Sequence, residues 1–221
     1  MHARQLRPHF FAIVAWLVAL AVPTDAKGKR VALVIGNSAY QHTSALSNPR
    51  HDAADLAKIL SSLGFEVIEG YDLDKAALDA KVRVFADALD GTSVGLFFYA
   101  GHGLQVSGEN YLVPVDAKLG SATALDFEMV RLSFIQRVME RATETNIIFL
   151  DACRDNPLAR NLARAMGTRS AAIGRGLAPV AGMGGAGQHA VFRRHPAQAA
   201  ALQERGPAGF QAGGAQHMGI A

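Results

Sequence analysis

The sequence predicts an α/β fold: a three-layer sandwich with a mostly parallel central sheet flanked by helices. Short apolar runs (Arg30 to Ile35, Val94 to Ala100, Ile147 to Leu150) read as strands buried on both faces. The stretches between them carry apolar residues at helical spacing. Runs and stripes alternate along the chain, as a parallel sheet with helical crossovers requires.

In order, Arg30 to Ile35 is the first strand, ending in a sharp turn at Gly36-Asn37. Asn48-Pro49 predicts a helix start, Asn48 as N-cap and Pro49 at the first helical position. Ala53, Leu56, Ile59, Leu60 and Leu63 form its stripe, and Gly64 stops it. Phe65 to Tyr71 is an alternating strand whose Glu66 and Glu69 suit a sheet edge. Asp74 caps a second helix with the stripe Leu78, Val82, Phe85 and Leu89, closed by Gly91. Val94 to Ala100 is the third strand and empties into Gly101-His102-Gly103. A long loop from Gly101 to Leu132, with a small hairpin around Tyr111 to Val115, is expected next. Ser133 with Gln136 reads as a capping box for a helix bearing Ile135, Val138, Met139 and Ala142. The strand after Asn146 then runs into a polar turn with Cys153, the one cysteine of the chain.

Both ends differ from this middle. Arg4 and Arg7 precede an apolar run from Phe10 to Val22, followed by Pro23-Thr24-Asp25-Ala26. That is the pattern of a secretory signal peptide over residues 1–26. The run is shorter than the ~20 residues of a membrane span. Export to the periplasm or beyond, with no membrane attachment after cleavage, is the expectation; an uncleaved anchor is the alternative. From 181 to 221, 20 of 41 residues are alanine or glycine and Glu204 is the only acid, so a disordered tail is expected. The abrupt change near Val180 also suggests a reading frame other than that of the domain. The expected catalytic domain is therefore 27–180.

The net charge is +3, with basic residues scattered rather than clustered, which gives nucleic-acid binding no support. One cysteine excludes an internal disulfide framework. No Gly-x-Gly-x-x-Gly follows the first strand, so a nucleotide site is weakly supported.

Two buried strands each deliver one reactive side chain at their carboxyl ends, where α/β sheets bind ligands. A thiol attacks as thiolate, and a neighbouring imidazole can take its proton and later give it to a leaving amine. Cys153 and His102 are thus candidate nucleophile and base. Glycines beside His102 let backbone approach a substrate, and the Gly103 and Cys153 amides are candidate oxyanion-hole donors. Read alone, a lone cysteine is more often inert core, and a histidine between glycines can be a turn residue.

Arg30-Val-Ala-Leu-Val-Ile-Gly-Asn37, Tyr99-Ala-Gly-His-Gly103 and Asp151-Ala-Cys-Arg-Asp155 together resemble the caspase-like cysteine peptidases, particularly their bacterial metacaspase-like members, over Lys29 to Pro179. In caspases the histidine precedes the cysteine by about 50 residues; here the interval is 51. The resemblance implies an endopeptidase acting on polypeptides through a dyad, with His102 as base and Cys153 as nucleophile. True caspases hold an aspartate substrate with an arginine before the first helix; this chain has none there, Leu46 being nearest. Metacaspases line that pocket with two acids, and Asp52 and Asp151 match them, which implies cleavage after Arg or Lys. Helix-dipole stabilisation is the alternative role for Asp52. Ala100 stands where many relatives have serine. The calcium-binding acids of some metacaspases do not map here, so no metal or other cofactor is assigned, although calcium activation stays open.

Arg160, Arg164, Arg169 and Arg175 read as a basic loop, either solvated or a site of self-cleavage. After Pro179 the strands that complete the family's sheet are not legible. The fold is therefore expected to be truncated at its C-terminal side, and a catalytically inactive remnant serving as a binding or scaffold protein is the alternative function. Oligomeric state is not legible.

Overall fold

The computed structural model describes residues 28–121, 123–153, 157–166, 173–174 and 188–193. The expected signal peptide lies outside them, as does most of the expected tail.

Among the described residues five strands form the parallel sheet, in the order β2 (Glu66–Tyr71), β1 (Lys29–Gly36), β3 (Thr92–Val106), β6 (Thr145–Cys153) and β8 (Gln188–Arg193). Helix α1 (Pro49–Ser62) covers one face with Ala53, Leu56, Ala57 and Leu60, against Ala32, Val34, Leu96, Phe98, Ile147 and Phe149. Helices α2 (Lys75–Ala88) and α4 (Leu132–Ala142) cover the other, bringing Leu78, Val82, Phe85, Ile135 and Met139 onto Val31, Leu33, Phe97, Tyr99 and Ile148. Strand residues alternate strictly between the two cores, as a two-faced strand must. The three-layer α/β arrangement is thus as the sequence predicts, and the acidic β2 is an edge.

Several elements differ locally. Asn48 makes no side-chain cap to α1. Asp74 does cap α2, accepting from the Ala77 amide at 2.8 Å. The Ser133 hydroxyl is not a cap: α4 begins one residue earlier, and Ser133 donates to Glu109 at 2.8 Å. A partner on another element wins it from the helix end.

The larger difference is after Ala100. β3 does not stop but runs to Val106, turns at Ser107-Gly108 and returns as β4 (Glu109–Leu112). Short helix α3 (Ala124–Glu128) follows, then β5 (Val130–Arg131) pairs with β4, and β7 (Ile173–Gly174) pairs with the far end of β3. The stretch expected as a loop therefore holds a small antiparallel sheet and a short helix. Alternation of Leu104, Val106, Tyr111 and Val113 into a third core supports it. Arg160 and Arg164 are not in a loop either. They lie on α5 (Pro157–Met166), whose Leu158 and Leu162 are buried in that third core.

β8 lies inside the segment expected to be disordered. Its Gln188–Arg193 backbone pairs in parallel with Thr145 to Leu150. Composition could not show this, because a strand added to an existing sheet is held largely by backbone bonds.

Candidate active site

The parallel register sets Ala100 opposite Asp151, Gly101 opposite Ala152 and His102 opposite Cys153. Candidate base and candidate nucleophile therefore stand side by side at the carboxyl ends of neighbouring strands. The side chain of Cys153 lies outside the described part of the structure. By alternation, His102 follows Phe98 and Ala100, and Asp151 follows Ile147 and Phe149, on the face that α1 covers.

His102 is held from all sides and is 1% exposed. Its Nε2 lies 2.9 Å from the Ser44 carbonyl oxygen. A carbonyl only accepts, so Nε2 carries the proton and Nδ1 the lone pair. Nδ1 is buried with no hydrogen-bond partner among the described residues. The ring packs on Tyr40, centroids 4.5 Å apart. Burial pushes the imidazole pKa below its usual value, partly opposed by the Ser44 carbonyl. The ring is thus held as the neutral tautomer with Nδ1 ready to accept a proton.

The backbone of His102 is also pinned. Its N–H donates to the Tyr40 hydroxyl at 2.7 Å, and its carbonyl accepts from the Tyr99 hydroxyl at 2.8 Å. The two hydroxyls are 3.3 Å apart. Asn37 extends the network, donating to the Val113 carbonyl at 3.2 Å and accepting from the Leu73 amide at 3.0 Å. Burial drives the Tyr99 pKa far up, with Tyr40 adding to it, so Tyr99 remains a neutral phenol. Gly101 is glycine for a steric reason. A Cβ there would lie 2.6 Å from the Tyr40 hydroxyl and 2.7 Å from that of Tyr99.

Asp52, on the first turn of α1, is 2% exposed rather than solvated. Asp151 is half-buried near the end of β6. Gly103 follows His102 in β3, opposite Leu112 of β4. Leu46 packs partly buried on the third core. Among the described residues no cluster of three or more His, Cys, Asp and Glu side chains is placed to hold a metal ion. No helix among them is long and apolar enough to cross a membrane.

Residues 29–206 match the family model described as Caspase domain. The chain belongs to that family. Among curated proteins, this caspase-domain chain is 34% identical over 127 residues to the human mucosa-associated lymphoid tissue lymphoma translocation protein 1. It is equally similar to the mouse homologue. The matched part is 57% of this chain but only 15% of either relative. A Geobacter sulfurreducens protein of known structure aligns with a TM-score of 0.44 and 19% identity, covering 57% of this chain and 50% of that one. The family match passes residue 180, where composition suggests that the domain ends, and it includes β8. Membership makes the fold that of a caspase-like cysteine peptidase.

The supports of His102 are what sequence reading misses. Ser44 contributes a backbone carbonyl, which leaves no trace in residue identity. Tyr99 reads as one more apolar strand residue. Only the Gly101-His102-Gly103 pattern hints that something must approach closely there.

Proposed function

We propose that this caspase-domain chain is a cysteine endopeptidase that cuts polypeptides after Arg or Lys, with Cys153 as nucleophile and His102 as general base. The observation that carries this is the pairing of His102 with Cys153 in the register, together with an imidazole kept neutral by burial and set in the Nε2-protonated tautomer by the Ser44 carbonyl. His102 Nδ1 takes the thiol proton, and the sulfur attacks the scissile carbonyl carbon. The amides of Gly103 and Cys153 stabilise the oxyanion, the role the family resemblance assigns them. His102 returns the proton to the leaving amine. Water, deprotonated by the same Nδ1, then hydrolyses the thioester and frees the thiol.

Specificity rests on Asp52 and Asp151. Both belong to the α1 side of the sheet, near its carboxyl edge, and two carboxylates there favour a guanidinium or ammonium. The metacaspase resemblance supports the same pocket. The N-terminal pattern of basic residues, apolar run and Ala26 supports export. N-terminal sequencing of the secreted product checks this, with Lys27 expected first.

The test uses fluorogenic peptides with Arg, Lys or Asp before the scissile bond. The 221-residue protein should cleave the basic ones, and Cys153→Ala should lose about 10³-fold or more of kcat. Equal signals from both proteins would favour the inactive scaffold reading. Preferred cleavage after Asp would overturn the acidic pocket and leave the dyad standing.

A further inference from the structure

Asp72 holds the start of the loop that supplies both supports of the His102 ring. It sits just past β2 at φ 50°, in the left-handed region that Asp, Asn and Gly tolerate better than other residues. Its side chain is 19% exposed. Oδ1 accepts from the Ser38 amide at 2.7 Å and from the Ala39 amide at 2.9 Å. Oδ2 accepts from the Arg50 guanidinium at 3.0 Å. Its own amide donates to the Gly36 carbonyl at 3.1 Å, which fixes where the carboxylate stands.

Ser38, once held, closes the loop that follows. Its carbonyl accepts from the Leu46 amide at 3.0 Å and from the Tyr40 amide at 3.2 Å. Its hydroxyl accepts from the Arg50 amide at 3.3 Å. The closed loop contains both groups that set the imidazole: the Tyr40 hydroxyl with its ring, and the Ser44 carbonyl. Apart from Tyr40 and Leu46, which pack on the third core, the loop has few side-chain anchors. His42, Ser44, Ala45 and Ser47 are exposed, and the Thr43 hydroxyl is buried with no hydrogen-bond partner among the described residues. The Gln41 amide to the Val115 carbonyl, at 2.8 Å, is the other tie at its near end.

We infer that Asp72 is a positioning residue for the His102–Cys153 reaction: by clamping Ser38, Ala39 and Arg50 it fixes the loop whose Tyr40 and Ser44 orient the catalytic imidazole. This rests on the dyad reading above. A loop with its carboxylate clamp removed has more than one arrangement, and the Ser44 carbonyl then stands off Nε2 for part of the time. Substrate binding at Asp52 and Asp151 is not affected in the same proportion, because α1 and β6 are held by the sheet core.

Two variants of the full 221-residue chain separate the carboxylate from the backbone conformation. Asp72→Gly keeps φ 50° at ease and removes the acceptor. Asp72→Asn keeps an acceptor for the two amides and loses only the charge facing Arg50. The glycine variant should lose about 10²-fold in kcat, as a displaced catalytic group does, with KM within about twofold. The asparagine variant should restore most of it. The second readout needs no turnover: the ring ¹⁵N shifts of His102, assigned with His102→Gln. Wild type and Asp72→Asn should show a single tautomer protonated at Nε2, and Asp72→Gly a mixture. Unchanged kcat and an unchanged tautomer pattern in the glycine variant would overturn the inference. A wild type with the single tautomer and no cysteine-dependent cleavage would overturn the peptidase reading while the clamp is still judged by the shifts. If Asp72→Gly does not fold, Asp72→Ser, a shorter and neutral acceptor, is scored on the same two measurements.

Discussion

The two halves of β3 are held by different forces. From Val94 to Ala100 the strand is buried on both faces, with Leu96 and Phe98 against α1 and with Phe97 and Tyr99 against α2 and α4. There the backbone ladder to β1 and β6 and the apolar contacts do everything. From Gly101 to Gly103 the ladder runs on to β6 and β4, but here side-chain hydroxyls hold the backbone as well. The first half stabilises the fold; the second sets the geometry of one imidazole. Tyr99 alone belongs to both, its ring in a core cluster and its hydroxyl on the His102 carbonyl. If this division is right, stability and turnover should separate along a single strand.

The largest expected effect is on the apolar half. Phe97→Ala should destabilise the protein by about 3–5 kcal/mol, because a fully buried ring leaves a cavity in a covered sheet. Denaturant unfolding measures that loss. Well below the transition, kcat per folded molecule should match wild type. A tenfold drop in kcat for the folded fraction would break the comparison, since packing beneath the site would then be setting its geometry.

Tyr99→Phe is the sharper cut, because it keeps the ring in the core and removes only the oxygen. That oxygen is also 3.1 Å from the Val113 carbonyl and 3.3 Å from the Val113 amide. Removing it leaves buried backbone groups short of a partner, which costs about 1–3 kcal/mol. The stability loss should be smaller than for Phe97→Ala and the loss of kcat much larger. A variant that loses stability but keeps full kcat would show that the hydroxyl serves only the fold.

The same division explains what was legible in the sequence. The apolar half could be read because burial on both faces leaves a composition signal, and so could Asp74, whose cap is local. Family motifs pointed to His102 and Cys153, and the register sets them side by side. What could not be read was made by contacts between distant segments. Asp72 bonds Ser38 and Ala39 across more than 30 positions, and Tyr40 reaches His102 across 62. The continuation of β3 past Gly101-His102-Gly103 was hidden because paired glycines read as a turn. In fact Gly101 is required by the two hydroxyls that a Cβ there would strike. β8 was hidden because alanine-rich segments show little preference until an existing strand edge supplies partners.

The smallest expected effect concerns proton linkage at the site half alone. Burial lowers the His102 pKa in the folded state below that of an unfolded histidine, about 6.5. Between those two values the unfolded chain binds more protons than the folded one, so stability there rises with pH. The contribution is complete above the unfolded value and is lost as pH falls through the folded one. Tyr99, held neutral far above this range, adds nothing to it. His102→Gln removes the titrating group. Its unfolding free energy, followed from pH 7.5 down to 5 by denaturant titration, should therefore fall less steeply than that of wild type. Parallel curves would mean that the imidazole is as well solvated as in the unfolded chain. The loop over His102 would then be open in solution, and the site half of β3 would be far less ordered than the core half beside it.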